Sequence, residues 1–345
     1  MEFIADYSRQ LSLSSMTESK QSLIVQSKVL IFGAGGLGVT AISYLAGAGV
    51  GTITIVDYDR IEASNLHRQT IYQVSDIGDF KAQVAVTYLK QRSPDCDIAA
   101  ITDHMDLPSL CQLCQQFDVI LDCTDDQPFS YLLNAICLVE GKKVVFANAV
   151  KLEGQLFILD PDNNQPCFNC LWPETESVAE SCNQLGVLGP VPGILGCLQA
   201  LEAIKIIINE KSHLLGHLLH CDFITYEFSK ISIPKSDNCD HQLSHLDLER
   251  AFKRYQSQSV PRLYDLSLED NIVIDIRSTD ELSLQPSGFS ARHIEAQQLV
   301  ANPQDFLDKQ QCYLLVCSSG KRSIDLCNTL QKQGYRTNAC RLGPG

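Results

Sequence analysis

The feature that most constrains this chain is a glycine-rich loop, Gly33-Ala34-Gly35-Gly36-Leu37-Gly38, placed directly after an apolar run. The pattern predicts a buried strand over residues 28–32, a helix over 39–48 and a second strand over 52–56, which together make a βαβ unit. In such a unit the N–H groups of the loop and the helix N-terminus face a phosphate. Asp57 closes the second strand, where a carboxylate accepts hydrogen bonds from ribose hydroxyls. These residues predict a nucleotide site and leave ATP and NAD open.

The same alternation of helix and strand continues along the first two thirds of the chain. It predicts an α/β fold with a doubly wound, mostly parallel sheet of the Rossmann type. The predicted helices and strands lie at 82–90, 119–121, 129–139, 143–147, 154–160 and 193–208, with a polar, cysteine-bearing loop over 166–189. We place the first domain at residues 1–233.

A polar stretch without a strand pattern follows at residues 234–260, and we interpret it as a linker that contains a short helix near 246–254. Beyond it, strands over 272–276 and 313–316 and a helix over 323–333 predict a second, small α/β domain at 261–345.

Charge and composition exclude some classes of function. The net charge is -14 and the pI is near 4.9, whereas proteins that bind nucleic acid need clustered Lys and Arg. The N-terminus carries Glu2 and Asp6 and no apolar core segment, so we expect a cytoplasmic protein without a secretory signal. The uncharged stretch 33–56 is interrupted by glycines, which favours a buried strand and helix over a membrane span.

The chain has 15 cysteines. Cytosolic thiols are kept reduced, so metal binding and thiol chemistry are better explanations for them than a disulfide framework.

A second group of polar residues indicates which of the two nucleotides, ATP or NAD, the chain binds. Residues 64–69, Ser-Asn-Leu-His-Arg-Gln, and Lys81 supply positive charge and amide donors, and Asp125 follows the strand at 119–121. Hydride transfer does not need these groups, whereas displacement at phosphorus does, because the charge of the triphosphate must be neutralised. Asp125 lies where doubly wound sheets bind ligands and is a candidate for holding Mg²⁺. By spacing alone, Arg68 and Lys81 are equally well explained as solvated surface charges.

Taken together, these residues carry a resemblance to a known family. Tyr7-Ser8-Arg9-Gln10, the glycine loop, Asp57-Tyr58-Asp59, residues 64–69, Lys81 and Asp122-Cys123-Thr124-Asp125 resemble the ThiF/MoeB/HesA family of sulfur-carrier-protein adenylyltransferases, relatives of the ubiquitin-activating enzymes, over residues 7–233. The resemblance implies a homodimer in which Arg9 reaches the ATP of the partner subunit. It also implies a set of ATP-binding residues, in which Asp125 places Mg²⁺: Gly33, Gly35, Gly36, Asp57, Asp59, Ser64, Asn65, Leu66, His67, Arg68, Gln69, Lys81, Asp125 and Asp126.

The function that the resemblance implies is attack by the terminal glycine carboxylate of a ubiquitin-fold sulfur carrier, similar to ThiS or MoaD, on the α-phosphate of ATP. The products are an acyl adenylate and pyrophosphate, which would serve thiamine, molybdopterin or thiolated tRNA synthesis. The chain departs from the family at Asp126, where Asn is usual, and at Gln127-Pro128-Phe129-Ser130, where Phe-x-Thr-Arg is usual. Three alternatives remain: an activator of a different ubiquitin-like tail, a carrier-binding relative without catalysis, and an NAD-dependent oxidoreductase.

Two cysteines are spaced to bind a metal. Cys167 and Cys170 form a CxxC turn in a loop, which can present two thiolates to one tetrahedral Zn²⁺. The resemblance implies a second CxxC downstream, and the matching place reads Cys239-Asp240-His241-Gln242. His241 is the nearest substitute for the fourth ligand, so we expect one structural zinc. Cys111 and Cys114 have the same spacing in an amphipathic helical run and are predicted to lie on its core face.

Two further cysteines are candidates for sulfur chemistry. Cys182 lies in a loop where the resembling family carries a cysteine that captures the activated carrier in some members; a bystander thiol is the alternative. Cys317-Ser318-Ser319-Gly320-Lys321-Arg322 lies between an apolar strand and a helix, so N–H groups and the helix dipole can stabilise a thiolate or persulfide.

With Asp275, Arg277, Glu281 and His293, the Cys317 loop resembles a rhodanese domain over residues 260–345. The resemblance implies a sulfane sulfur on Cys317, delivered by a persulfide-donating cysteine desulfurase. Arg292 and Gln297 replace residues that are small in that family, and the chain ends at Gly345, where such domains usually continue.

Overall fold

The computed structural model describes residues 6–163, 165–173, 186–237, 239–258, 263, 271–284, 286, 289–318 and 320–342. The chain divides into two compact units, Met1–Phe252 and Lys253–Gly345. The domain bounds expected from the sequence, 1–233 and 261–345 with a linker at 234–260, stay predictions.

An eight-stranded sheet forms the first unit, with the order β3-β2-β1-β4-β5-β6-β7-β8. The first five of these strands are parallel, and β6, β7 and β8 add on antiparallel. The α/β fold with a mainly parallel sheet is therefore confirmed. The strands are β1 Lys28–Phe32, β2 Thr52–Val56, β3 Asp97–Ile101, β4 Val119–Asp122, β5 Lys143–Val150, β6 Glu153–Leu159, β7 His217–Asp222 and β8 Glu227–Ser232.

The chain up to Gln258 also forms helices, and several of them bury apolar residues in the core of this sheet. They are α1 Ser8–Leu11, α2 Glu18–Gln26, α3 Gly36–Ala48, α4 Lys81–Arg92, α5 Leu107–Gln115, α6 Gln127–Glu140, α7 Phe168–Leu171, α8 Pro190–Ile207 and α9 His245–Gln258. Among the described helices, α8 alone is long and apolar enough to cross a membrane, and 44% of it is buried inside the fold. It packs on α3 and β5, as the core helix of a globular unit does.

Strand β1 lies at the point where the strand order reverses. Phe32 at its end is in register with Val56 of β2 on one side and with Asp122 of β4 on the other. In open α/β sheets the loops that leave two such strands diverge and open a crevice beyond their carboxyl ends. The glycine loop after β1 and Asp125 after β4 therefore flank the crevice.

The second unit has a four-stranded parallel sheet with the order β10-β9-β11-β12. Its core contains Ile274, Leu315, Cys317 and Leu330. The strands are β9 Ile272–Asp275, β10 Arg292–His293, β11 Cys312–Cys317 and β12 Arg336–Arg341, and the helices are α10 Thr279–Leu284, α11 Ala296–Ala301 and α12 Lys321–Lys332.

Two helices begin earlier than their apolar pattern predicts. The side chain of Asp126 accepts a hydrogen bond from the N–H of Phe129, so α6 begins at Gln127 rather than at 129. Helix α8 begins at Pro190 rather than at 193, because proline is pre-organised for the first helical turn. Polar and proline residues set both starts, and the apolar pattern does not include them.

The glycines of α3 test how tightly the glycine loop is packed. A Cβ on Gly38 would lie 2.0 Å from the carbonyl oxygen of Gly33, whereas a Cβ on Gly47 would meet nothing within 4 Å. We expect Gly38→Ala to lower the free energy of unfolding by about 1–3 kcal/mol through overpacking. The matched change Gly47→Ala should raise it by about 0.5–1 kcal/mol through helix propensity. Urea titration measures both, and equal effects would contradict this packing.

Candidate functional site

The carboxylate of Asp57 organises the glycine loop. Its Oδ2 accepts a hydrogen bond from the N–H of Ala34 at 2.6 Å, and its Oδ1 accepts one from the N–H of Asp59 at 2.7 Å. Burial raises the pKa of Asp57 to about 6, and the nearby Lys81 opposes that rise. Asp57 therefore takes up a proton at a higher pH than a solvent-exposed aspartate does.

Lys81 begins α4 and lies in the same place. Its side chain is 5% exposed, and its Nζ is 3.1 Å from Oδ2 of Asp59. The hydroxyl of Tyr72 lies 2.9 Å from the carbonyl oxygen of Ala34 and 3.2 Å from that of Lys81, so it ties the glycine loop to α4. Sequence reasoning missed Tyr72. The signal for it was an aromatic side chain with a polar tip close to residues 64–69.

Residues 64–69 fold over the glycine loop. Asn65 is fully buried and ends a short 3₁₀ helix. The side chains of Glu62 and Asn65 form a capping box there, in which each accepts a hydrogen bond from the other's backbone N–H. The Cγ of Arg68 lies 3.5 Å from where a Cβ on Gly36 would stand, and the Nε2 of Gln69 lies 3.8 Å from the equivalent point on Gly35. The Oε1 of Gln69 is buried without a hydrogen-bond partner. The loop thus carries an acceptor that a ligand donor would satisfy.

The remaining members of this segment are more exposed. The Nη1 of Arg68 donates to the carbonyl oxygen of Ser64 at 3.0 Å and lies 2.9 Å from Nε2 of His67. Leu66 is partly buried against the core of the first unit.

The end of β4 forms the other wall of the crevice. A Cβ on Gly33 would lie 2.7 Å from the carbonyl oxygen of Cys123, so the two loops approach as closely as backbone allows. Asp122 is buried, and its Oδ2 accepts a hydrogen bond from the hydroxyl of Ser130 at 2.5 Å. Burial raises the pKa of Asp122 to about 6. Asp125 is exposed, two residues beyond Cys123 at this edge.

These contacts explain two departures from the family pattern. Asp126 caps α6 and Ser130 binds Asp122, so both side chains have structural partners. Gln199 of α8 was missed from the sequence. It is fully buried, and its Nε2 donates to the carbonyl oxygens of Asp122 and Val145 at 2.7 Å and 3.0 Å. A polar residue on the core face of an apolar helix was the signal for it.

Arg9 is not brought to this crevice within one chain. It is exposed on α1, where the neighbouring Tyr7 contacts the position of Gly49 and the Nε2 of Gln10 donates to the carbonyl oxygen of Ala48 at 3.2 Å. Both contacts lie at the C-terminal end of α3, whose 13 residues span roughly 20 Å from the glycine loop at its N-terminus.

Four side chains converge on a separate centre. The Sγ of Cys167 lies 3.9 Å from that of Cys170 and 3.4 Å from that of Cys239, and the Sγ of Cys170 lies 3.1 Å from Nε2 of His241. These four ligand atoms all lie within 4.8 Å of one another. A tetrahedral Zn²⁺ with bonds of about 2.0–2.3 Å accepts this set of thiolates and one imidazole.

The other candidate cysteines of the first unit differ from this set. Cys114 is buried on α5 and Cys111 is partly buried on the same helix, which agrees with the core face expected of them. Burial raises the pKa of the Cys111 thiol to about 11. Cys182 lies outside the described residues.

In the second unit, Cys317 ends β11 and is fully buried. Its Sγ accepts a hydrogen bond from the N–H of Gly320 at 3.1 Å, and Gly320 has a φ of +89°, which favours glycine. The hydroxyl of Ser323 lies 3.5 Å from the same sulfur. The N-terminus of α12 follows at once, so the loop is built to stabilise negative charge on sulfur.

Two ion pairs lie in this unit, and one of them holds Arg322 of the loop. Arg322 binds Glu281 through Nη1 at 2.8 Å and Nη2 at 2.5 Å, and this hydrogen bonding lowers the pKa of Glu281 to about 2. Arg277 is fully buried against Asp275 at 2.7 Å. The Nε2 of His293 lies 2.8 Å from the carbonyl oxygen of Arg277.

Known proteins resemble the part of the chain that carries the crevice and the cysteine cluster. The model of the ThiF family matches residues 7–241. The sulfur carrier protein ThiS adenylyltransferase of Escherichia coli K12 is 37% identical over 233 residues, which cover 68% of this chain and 92% of the relative. The adenylyltransferase and sulfurtransferase MOCS3 of Drosophila grimshawi is 41% identical over 239 residues, or 68% of this chain, and the match spans only 53% of that relative.

Solved structures show the same fold. The crystal structure of E. coli MccB with ATP superposes with a TM-score of 0.56 at 21% identity and covers 64% of this chain and 68% of MccB.

We expect zinc to depend on the four converging ligands. Cys239→Ser should reduce bound zinc from about one per chain to near zero, because three remaining ligands hold the ion far more weakly. Elemental analysis of the purified protein measures the metal. The matched change Cys197→Ser, a partly buried cysteine of α8, should keep its zinc. Chelation should lower the melting temperature of the Cys197 variant and leave that of the Cys239 variant unchanged. Full zinc content in Cys239→Ser would contradict the assignment.

Proposed function

Because the chain belongs to the ThiF family, we propose that it uses ATP to adenylate the C-terminal glycine of a ubiquitin-fold sulfur carrier protein, with release of pyrophosphate. The glycine loop, Asp57, residues 64–69 and Lys81 meet at one crevice at the switch point of the sheet. This convergence is the observation that carries the proposal, since separate positions for these groups would leave the triphosphate without a shared binding place.

Each group of the crevice has a role that its surroundings support. The N–H groups of Gly35 and Gly36 at the start of α3 bind phosphate oxygens, and Asp57 accepts hydrogen bonds from the ribose. Arg68 and Lys81 stabilise the charge that develops on the α-phosphate and on the departing pyrophosphate. Lys81 is paired with Asp59, so part of its charge becomes available to the phosphates only as that pair loosens.

Asp125 suits Mg²⁺ by its chemistry. It is an exposed carboxylate at the edge where β4 ends, and hard oxygen ligands together with phosphates are what Mg²⁺ prefers. A bound Mg²⁺ would neutralise charge on the phosphates. Asp126 lies next to it and orders the first turn of α6.

We place Arg9 in the ATP site of a second copy. Its position at the far end of α3 from its own glycine loop suits a residue that acts across a dimer interface. We further propose that the homodimer works in the cytoplasm, with the adenylating domain at residues 1–233.

The second unit, over 261–345, is proposed to transfer sulfur through Cys317 in the manner of a rhodanese domain, with a cysteine desulfurase as the donor. The hydrogen bond from Gly320 and the helix that follows support a thiolate or persulfide there. Cys182 remains a proposed acyl or persulfide carrier on sequence grounds alone.

The alternatives lack a specific supporting observation. A carrier-binding relative without catalysis was suggested by Asp126 and Ser130, and both residues have structural partners. Hydride transfer offers no use for the buried Lys81 at the glycine loop.

Loss of Lys81 tests the adenylation step. We expect Lys81→Ala to reduce carrier-dependent ATP–pyrophosphate exchange by about 100-fold or more, because a charge that stabilises the transition state is removed. Asp125→Ala should have a similar effect through loss of metal binding. Lys90→Ala, an exposed lysine on the same helix, is the matched control and should retain exchange. Exchange at the normal rate in both Lys81→Ala and Asp125→Ala would overturn the proposal.

Loss of Cys317 separates the two activities. Cys317→Ser should retain ATP–pyrophosphate exchange and lose the ability to carry a sulfane sulfur, since the nucleophile lies in the second unit. Mass spectrometry of the alkylated Cys317 peptide detects the added sulfur atom, and Cys312→Ser, at the opposite end of the same strand, is the control. Exchange that fails together with sulfur loading would show that Cys317 is not confined to sulfur transfer.

A further inference from the structure

The amide of Gln199 joins the apolar helix α8 to two strands of the large sheet. The side chain is fully buried, and its Nε2 donates to the carbonyl oxygens of Asp122 in β4 and Val145 in β5 at 2.7 Å and 3.0 Å. Its Oε1 accepts a hydrogen bond from the Sγ of Cys123 at 3.2 Å. Both amide protons and the amide oxygen are therefore used. All three contacts are made at the place where β4 ends beside β5.

Helix α8 is itself packed closely against the glycine loop and α3. A Cβ on Gly196, one turn before Gln199, would lie 2.3 Å from the carbonyl oxygen of Leu37. At the start of α8, the Cγ of Pro192 lies 3.0 Å from where a Cβ on Gly36 would stand. Close packing of this kind leaves α8 little freedom to move relative to α3. Gln199 therefore holds the end of β4 in a position that is fixed relative to the glycine loop.

Hydrogen bonds that start from Asp122 hold the residues on both sides of Asp125. The Oδ1 of Asp122 accepts from the N–H and the hydroxyl of Thr124 at 3.0 Å and 2.7 Å. The N–H of Asp126 donates to the hydroxyl oxygen of Thr124 at 3.4 Å. Asp125 lies between Thr124 and Asp126 in the chain, and its side chain is exposed. A shift of Asp122 therefore moves Asp125 as well.

We propose that Gln199 is a positioning residue for the carboxylate that suits Mg²⁺: through the end of β4, it sets where Asp125 lies relative to the glycine loop. This inference rests on the proposed adenylation. Mg²⁺ in such sites is shared between a protein carboxylate and the phosphates, and a displacement of about 1 Å can lower a rate about 100-fold. Loss of the amide donors of Gln199 weakens the use of Mg²⁺ and leaves the backbone N–H groups of the glycine loop in place.

The first test asks whether Gln199 holds the end of β4, and it needs neither metal nor nucleotide. In the full chain, deuterium uptake over residues 119–126 should be at least about fivefold faster in Gln199→Met, which keeps the length of the side chain and removes its hydrogen bonds. Uptake over 97–101, in the edge strand β3, should stay within about twofold of the wild type. Equal acceleration of both segments, or unchanged uptake over 119–126, would overturn the proposal.

The second test measures carrier-dependent ATP–pyrophosphate exchange as a function of free Mg²⁺. Gln199→Met should raise the half-saturating Mg²⁺ concentration about tenfold or more, while the KM for ATP at saturating Mg²⁺ stays within about twofold of the wild type. A loss of folded protein would lower the maximal rate without moving half-saturation, so this shift separates positioning from structural damage. Unchanged half-saturation, even with faster deuterium uptake over 119–126, would reject the link to Asp125.

Two further variants control these measurements. Glu202 is also buried on α8, and its carboxylate accepts hydrogen bonds from Lys205 and Ser212. Glu202→Gln should therefore leave both readouts within about twofold of the wild type. Gln199→Glu keeps an oxygen for Cys123 and at most one donor, so its effects should lie between those of the wild type and Gln199→Met. Equal behaviour of Gln199→Glu and Glu202→Gln would overturn the proposal even if the methionine variant does not fold.

The positioning role and the proposed adenylation fail separately. A wild-type chain without ATP–pyrophosphate exchange at any Mg²⁺ concentration would reject adenylation, and deuterium uptake over 119–126 would still show whether Gln199 holds β4. Normal exchange in the wild type, with the same Mg²⁺ dependence in Gln199→Met, would keep adenylation and reject the positioning role.

Discussion

The pairing of β1 with β2 on one side and β4 on the other is the constraint on which the proposed nucleotide site depends. Because the strand order reverses at β1, the loops after β1 and β4 separate and leave a crevice between them. The carbonyl of Cys123 lies so close to Gly33 that a side chain there would collide with it. Packing of the glycine loop against the end of β4 therefore requires glycine at position 33, independently of any bound phosphate.

Several charged side chains at this crevice are buried. Asp57 and Asp122 are buried, and burial raises the pKa of each to about 6. Lys81 is buried as well, with Asp59 as its partner. Removing one member of such a group would leave an uncompensated charge in a low-dielectric place. In the proposed function, backbone N–H groups and Arg68 bind the phosphates, and Lys81 contributes charge that it otherwise shares with Asp59.

The cysteine cluster at Cys167 and the loop at Cys317 show how the surroundings of a cysteine decide the chemistry of its sulfur. At Cys167 three thiols and one imidazole converge within bonding reach of a single ion, so the thiols have each other and His241 as neighbours. At Cys317 a single sulfur receives a backbone hydrogen bond and lies within electrostatic range of the Arg322 guanidinium. The first arrangement suits a metal that stabilises the fold, and the second suits a sulfur that carries charge during a reaction.

The sequence by itself determined the βαβ start, the mainly parallel sheet and the family, because glycine spacing and apolar runs are local signals. It also named the four members of the cysteine and histidine cluster, although only the fold brings Cys239 next to Cys167 and His241 next to Cys170. Tertiary structure alone decided that Gln199 meets Asp122 and Val145 and that Arg322 pairs with Glu281. Those contacts join residues far apart in the chain, and no local pattern encodes which of them meet when strands pair and helices pack.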